Sequence, residues 1–356
     1  MTDAQPPKSP KAGKTPSPQP PSSPISPRLG NIDAPIEADT ADADSVYASS
    51  VVTDTTSLRS SILAYKWEHG RRYHAYQDGA YWGPNDEKQQ EAEDLSHEMF
   101  KIILNGLTLA PISDDVQNVL DVGCGTGAWA IEFADAHPSS QVIGVDLSPI
   151  QPSFVPPNCK FEVDDVIKDF TYPDNYFDYI HIRSMTGCIP DWVQFHRKAL
   201  KHLKPGGWTE HIENSGVVRS DDGTLGPAMA QWWGIFDKIG KATGKTFGIA
   251  ETLPDVLKEA GYTNIVERRI KIPIGTWPKN PDLKHWGAWN RQFILQGVEG
   301  FSIRGLTDCL GWTYEEAQLY LVSLRKELTD PKIHAYLELA FYAGQKPEAA
   351  EESTAA

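Results

Sequence analysis

Asn118-Val-Leu-Asp-Val-Gly-Cys-Gly-Thr-Gly-Ala-Trp-Ala130 is the stretch whose reading decides the fold. The apolar run Val119 to Val122 reads as a buried parallel strand. It stops at Gly123, Gly125 and Gly127, with one residue between each pair. Ala128-Trp-Ala-Ile-Glu-Phe-Ala134 then follows with helical spacing. Strand, glycine turn and helix open a nucleotide-binding α/β unit, because glycine turns the backbone sharply and leaves bare main chain for a ligand to lie against.

The spacing within the loop narrows the ligand. A dinucleotide fingerprint is G-x-G-x-x-G, with a helix start aimed at a pyrophosphate. Here the pattern is G-x-G-x-G, and Asp121 sits two residues ahead of the first glycine. A second strand, Gln141 to Val145, ends at Asp146, placed to take two ribose hydroxyls, with Leu147 beside it. Acids around the loop suit a cationic ligand with a free amino group better than a pyrophosphate. S-adenosylmethionine (SAM), a sulfonium nucleoside, has that chemistry. A nicotinamide-dependent oxidoreductase fits less well, because the loop spacing is wrong and Asp121 is left without a purpose.

The 356-residue chain allows one sizeable domain with insertions, or two small ones. A hydrophobic fraction of 40% and eleven tryptophans are enough for a substantial core. No run has the length of a membrane span, and the first residues lack a signal-peptide core. The expectation is an intracellular protein of the cytoplasm, the nucleus or both. Cys124, Cys159, Cys188 and Cys309 lie far apart and form no C-x-x-C pair, so no zinc site or disulfide framework is expected. A formal net charge of −15 without a concentrated basic patch speaks against gripping nucleic acid.

Residues 1–60, rich in proline, serine and alanine, are expected to be disordered, as is the acidic tail 346–356. Five Ser/Thr-Pro steps, from Ser9-Pro10 to Ser26-Pro27, would suit proline-directed kinases. Residues 61–345 form the expected domain, with helical insertions near 225–245 and 277–330.

Glu68 to Glu87 is dense in aromatic and polar residues without a clean period. Two readings stay open. The stretch could fold over the ligand as a lid, with Arg72, Tyr73 and Tyr81 reaching it, or its aromatics could only pack the N-terminal layer. Glu91 to Leu107 reads as an amphipathic helix. Lys160 to Val163 is a third strand. Asp165, after it, could accept a hydrogen bond from an adenine amino group, with Val166 covering the ring face. Phe177 to Ile182 is a fourth strand running into Arg183. Lys204-Pro-Gly-Gly207 reads as a turn and Trp208 to Val218 as a fifth strand, on which His211 and Glu213 share one side and Glu210 and Ile212 the other. Asn264 to Ile274 is a sixth strand. Lys332 to Ala343 is a last strand or a terminal helix, and the alternation of Tyr336, Glu338, Ala340 and Tyr342 favours strand. Groups able to act as a general base are His74, His181, His211 and Glu213; no signature chooses among them.

Val119-Leu-Asp-Val-Gly-Cys-Gly-Thr-Gly127, Asp146, Asp164-Asp165-Val166, Phe177-Asp178 and Leu203-Lys-Pro-Gly-Gly207 resemble the motifs of class I SAM-dependent methyltransferases, in the same order and spacing. Gly70-Arg-Arg-Tyr-His74, Gly79-Ala-Tyr81, Pro84-Asn-Asp-Glu87, Tyr179-Ile-His-Ile-Arg183 and Lys204-Pro-Gly-Gly-Trp208 are similar to the fungal LaeA-type group. That group includes regulators of secondary metabolism and development that associate with velvet-type proteins, and methyltransferases that pair with one another. The resemblance implies a Rossmann-like, doubly wound α/β sheet of about seven mostly parallel strands, the last one antiparallel, with N-terminal and C-terminal helical lid segments. It implies SAM contacts at Gly123, Gly125, Gly127, Asp146 and Asp165, backbone contact at Arg183, and an aromatic from the N-terminal segment on the ligand, here Tyr81. A methyltransferase acting on a protein or small molecule is the first expectation. A SAM-binding subunit of a nuclear regulatory complex, partnered by a velvet-type protein or a second methyltransferase, is the alternative.

Overall fold

The computed structural model describes residues 34–38 and 65–348. A short hairpin of β1 (Lys66–Glu68) and β2 (Arg71–Tyr73) leads to α1 (Glu87–Leu104). Asp86 caps α1 by accepting from the Gln89 backbone, so the helix begins one turn earlier than its apolar spacing alone announces. The buried Arg71 guanidinium grips the Asp86 carboxylate with two bonds of 2.6 and 2.8 Å, tying the hairpin to the helix start. The glycine-loop unit follows as β3 (Asn118–Val122), α2 (Ala128–Ala136) and β4 (Gln141–Asp146). Next come β5 (Cys159–Val163), β6 (Phe177–Arg183), α3 (Trp192–His202) and β7 (Leu203–Asn214). The last third contains α4 (Pro227–Thr243), α5 (Ile249–Ala260), β8 (Thr263–Pro273) and α6 (Pro281–Arg304). A π-helical turn, Gly305–Cys309, leads from α6 to α7 (Tyr314–Leu328) and then β9 (Tyr336–Gln345). None of the described helices is long and apolar enough to cross a membrane.

The seven-stranded sheet has the order β5-β4-β3-β6-β7-β9-β8. β9 runs antiparallel to both of its neighbours, and the other pairings are parallel, so the doubly wound sheet with one antiparallel strand is as expected. The segment that spacing leaves between strand and helix is thus a strand. It is buried along nearly its whole length, with Ala340 and Tyr342 in the core on one side of the sheet and Leu339, Phe341 and Ala343 in the core on the other. A third apolar cluster, with Trp232, Val298 and Leu321 among its members, holds α4, α6 and α7 together.

Two expectations need correction. Lys204-Pro-Gly-Gly207 is not a free turn but an irregular part of β7: the ladder steps from Phe177↔Leu203 to Tyr179↔Trp208 around it. Its glycines also bond the far end of the chain, with Gly206 N donating to Lys346 O and Lys346 N to Gly207 O. β7 stops at Asn214, short of the expected end at Val218, because Gly216 turns the chain with φ of +69°. Of the tails expected to be disordered, residues 34–38 and 346–348 are described and the rest lies outside the described residues. Ala38 forms a bridge to Pro278, and Glu37 O accepts from Lys279 N.

Phe341 is fully buried in the middle of β9. Phe341→Ala is expected to cost about 3–5 kcal/mol, as a lost transfer energy plus a cavity. Urea unfolding should show a lower midpoint with an unchanged slope; a loss under about 1 kcal/mol would mean β9 does not anchor the core.

Candidate active site

The site lies where the strand order reverses, between the carboxyl ends of β3 and β6, where an open α/β sheet leaves a crevice. The glycine loop is folded onto the neighbouring strand. Gly123 N and Cys124 N donate to Val145 O at 2.8 and 3.1 Å, and Gly127 N donates to Cys124 O at 2.8 Å. Gly125 N donates to Asp146 Oδ2 at 2.9 Å, and Ser148 N to Asp146 Oδ1 at 2.8 Å. Gly125 has φ of +55° and Gly127 has φ of +81°, where a side chain is strained. The two serve different ends. A Cβ on Gly125 would point into the cavity, 2.7 Å from Glu93 Oε2, whereas one on Gly127 would strike the Phe161 ring at 2.3 Å.

One cavity of about 280 Å³ runs from this loop into an aromatic chamber. At the loop end it is lined by Gly123, Gly125, Asp146, Leu147, Asp165 and Val166, with Arg183 and Tyr81 also on its wall. Asp165 Oδ1 accepts from Ile167 N at 3.0 Å. At the far end stand Trp82, Trp232, Trp233, Phe236, Phe247 and Phe301. The Trp82 indole is pinned by donating to Thr186 O at 2.9 Å, and its ring lies 5.6 Å from that of Phe247. Glu213, at the carboxyl end of β7, lines the cavity as well.

The electrostatics of the cavity are acidic. Burial pushes the Asp146 carboxyl up to about 6, against the backbone N–H groups of Ser148, Gly125 and Leu147 that favour its charged form. Burial pushes Glu213 up to about 8, opposed by the N–H groups of Met185 and Thr186. Burial, with the charge of Asp146 next, pushes Glu93 of α1 up to about 8 as well. Arg183 is a cationic side chain on the wall. Its guanidinium lies 4.9 Å over the Phe100 ring and donates toward His97 Nδ1 at 3.2 Å.

Only some of the expected residues meet here. Glu213 and His211 do share a side of β7, and His211 Nε2 donates to Glu213 Oε1 at 2.9 Å. His211 Nδ1 in turn faces His196 Nε2 at 3.2 Å, and burial holds His211 down to about 3, so the ring is neutral and lies behind the cavity wall. Glu213 Oε1 also accepts from Met185 N at 2.7 Å, which leaves Oε2 buried without a partner among the described residues. His181 is on the opposite face of the sheet, stacked on Trp129 at 3.8 Å and near Glu210, because it alternates with Ile182 along β6. His74 is buried in the N-terminal segment, its Nδ1 bonded to Tyr76 O at 2.7 Å and its Nε2 facing the Tyr81 backbone. Asp121 is buried under the loop beside His181 and Arg183 and does not reach the cavity. Gly127 likewise stays off the wall. Of the N-terminal trio, Tyr81 reaches the cavity. Arg72 is spent on Asn85 and Glu87, and Tyr73 is buried under the Arg304 guanidinium at 4.5 Å. The segment thus supplies cavity wall at Tyr81 and packing at Arg72 and Tyr73.

Sequence reasoning missed Asn85, Gln89, Glu93 and His97, which all line the cavity. The available signal was a polar stripe at positions 89, 93 and 97, four residues apart on one face of an otherwise amphipathic helix. It also missed that His97, Glu98 and Glu132 could each bring an atom within 4.8 Å of the others, as metal ligands do. The Lys101 ammonium already sits on both carboxylates, at 2.9 Å from Glu98 and 2.7 Å from Glu132.

A methyltransferase-domain profile matches residues 92–267. The chain is 42% identical over 306 residues to the methyltransferase pytC of Aspergillus terreus, a match covering 84% of this chain and 94% of the relative. The chain belongs to the LaeA-like family of SAM-dependent methyltransferases. It is 34% identical over 290 residues to the secondary metabolism regulator LAE1 of Cochliobolus heterostrophus, covering 79% and 94% of the two chains. It is 32% identical over 288 residues to the protein-methionine methyltransferase laeA of Emericella nidulans, covering 79% and 76%. Among solved structures, the Haemonchus contortus phosphoethanolamine N-methyltransferase 2 with S-adenosylhomocysteine aligns at 20% identity and a TM-score of 0.42, over 76% of this chain and 55% of that one.

SAM is the cofactor of this enzyme family, and the loop end of the cavity fits it: bare backbone at Gly123 and Gly125, an acid at Asp146, and at Glu93 a buried acidic oxygen without a partner among the described residues. Asp146 would hold the ribose hydroxyls and Val166 would cover the base. Asp146→Ala should therefore weaken SAM binding by about 100-fold, the loss of two hydrogen bonds to a charged acceptor. Calorimetry on the purified protein checks this, and binding unchanged in the variant would remove Asp146 from the site.

Proposed function

We propose that this methyltransferase acts on an apolar, ring-bearing small molecule through a hydroxyl group, in secondary metabolism or its regulation. The observation that carries the reading is the aromatic chamber, continuous with the glycine-loop cleft and holding one acid, Glu213, on its wall. A chamber of this composition takes a flat apolar body and orients it by few polar contacts. Phe293, Phe301 and Leu337 add to its walls from α6 and β9, outside the part of the chain matched by the methyltransferase profile. The relatives' names as methyltransferase and as secondary metabolism regulators support the metabolic setting.

Bound SAM supplies an electrophilic methyl group. The chain's task is to exclude water, align the acceptor and take its proton. Glu213 suits that last role. Met185 N and His211 Nε2 both bond Oε1 and fix the carboxyl group, and Oε2 is left to face the acceptor. With its carboxyl raised to about 8, Glu213 gains its charge as pH climbs, so kcat/KM for the acceptor at saturating SAM should rise up to about pH 8 and then level off. Glu213→Gln should lower kcat by about 100-fold or more and flatten that rise.

The direct test offers radiolabelled SAM with hydroxylated aromatic compounds in one arm and methionine-containing peptides in the other. Labelled aromatic ethers are expected; label on the peptides alone would overturn the reading in favour of a protein acceptor. The regulator names favour a second reading, a SAM-binding subunit working with a velvet-type protein or a second methyltransferase. Under that reading a Glu213→Gln gene would still complement a deletion strain, and under catalysis it would not.

A further inference from the structure

Glu93 is an unusual acid. It projects from α1 into the cavity, and its Oε2 is shut off from solvent, without a hydrogen-bond partner among the described residues. Its Oε1 accepts one long bond, 3.4 Å, from Gln89 Nε2. The charged groups that act on it are Asp146 from β4 and Asp94 and Asp86 from its own helix and cap, all acids. The nearby cations are engaged elsewhere, Arg71 on Asp86 and Arg183 toward His97. Asp94 accepts from Thr126 and turns away from the cavity, and the Tyr81 hydroxyl on the facing wall is kept un-ionised by burial. A buried carboxylate among acids costs stability unless a cation arrives. The position is held firmly all the same: the Arg71–Asp86 clamp fixes the start of α1, and Glu93 follows Asp86 by two helical turns on the same face. Glu93 Oε2 would be 2.7 Å from a Cβ at Gly125, so the carboxyl group overhangs the bare backbone of the loop.

We infer that Glu93 is a ligand for the cationic end of the cofactor, its ammonium or its sulfonium group, reaching it from α1 across the glycine loop. The inference rests on the family's cofactor and not on the nature of the acceptor. Two consequences separate it from a structural role. Glu93 is protonated at neutral pH in the free protein and must ionise to meet a cation, so binding releases a proton and affinity grows as pH rises toward about 8. Its folded value is raised, so its contribution to the stability of the free protein is present at low pH and is lost as pH rises toward that same value. Removing the acid should then stabilise the free protein while weakening the cofactor, the trade expected of a functional group.

The experiment is calorimetry on the full chain and its Glu93→Gln variant, with SAM, S-adenosylhomocysteine and 5′-methylthioadenosine. The last ligand has neither the amino-acid group nor a positive sulfur. Repeating it in buffers of different ionisation heat counts the protons released, and a thermal melt of each free protein completes it. Glu93→Gln should bind SAM about ten-fold more weakly, bind methylthioadenosine within about two-fold of wild type, release fewer protons, and melt higher when free. Equal losses for SAM and S-adenosylhomocysteine assign the contact to the ammonium, and a larger loss for SAM assigns it to the sulfonium. SAM affinity unchanged in the variant, methylthioadenosine weakened as much as SAM, or a lower melting point for the free variant would each overturn the inference. Asp146→Ala serves as the control. If it loses SAM while Glu93→Gln does not, the cofactor site stands and the inference alone fails.

Discussion

Everything at the site follows from β3 being hydrogen-bonded on both flanks by parallel neighbours, β4 and β6. A strand paired on both sides cannot turn back beside itself, so the chain leaving it must climb out of the sheet. Gly123 to Gly127 make that exit, and α2 returns along one face. Because β6 lies on the other flank, the chain leaving it crosses on the opposite face, and a crevice opens between the two strand ends. The glycine backbone, the acid of β4 and the end of β7 reach that crevice because each lies at the end of its strand and the strands pair in this order.

Acid burial is the second constraint. Glu93, Asp146 and Glu213 come from α1, β4 and β7, three elements far apart in the chain, and surround one space. Each is held away from its ordinary ionisation by the loss of water, and the described cations around that space are bound to other groups. Such a cavity carries free energy that a positively charged ligand relieves, which links the affinity of the site to the charge of what fills it. The aromatic chamber beyond Glu213 selects by shape and apolar surface instead. The two ends of one cavity thus discriminate by different physics.

The start of the sheet was legible because β3 and β4 are short, largely apolar runs that stop at a glycine and at an acid. Asp146, Asp165 and Gly123 could be placed at the crevice because residues at strand ends have their position set by the strand itself. The histidines could not be sorted in this way. His181 and His211 read alike, each an inner residue of a buried strand, yet one stacks on Trp129 on the far face and the other props Glu213. The parity of each strand relative to the crevice depends on its register with neighbours, which sequence spacing does not carry. Glu93 was missed for a related reason: on a helix read as amphipathic, a polar residue counts as solvent-facing until the helix is docked.

By itself the sequence determined the strand–glycine–helix unit, the cofactor chemistry its acids call for, and the succession of α and β segments, since these rest on local backbone preference and on residues adjacent in the chain. Tertiary structure decided which acids share the cavity, which histidines are walled off, and that α4, α6 and β9 bring their aromatic and aliphatic side chains over the site. Those outcomes depend on packing between segments far apart in the chain, where the position of each side chain is fixed by the element it leans against and not by its neighbours in sequence.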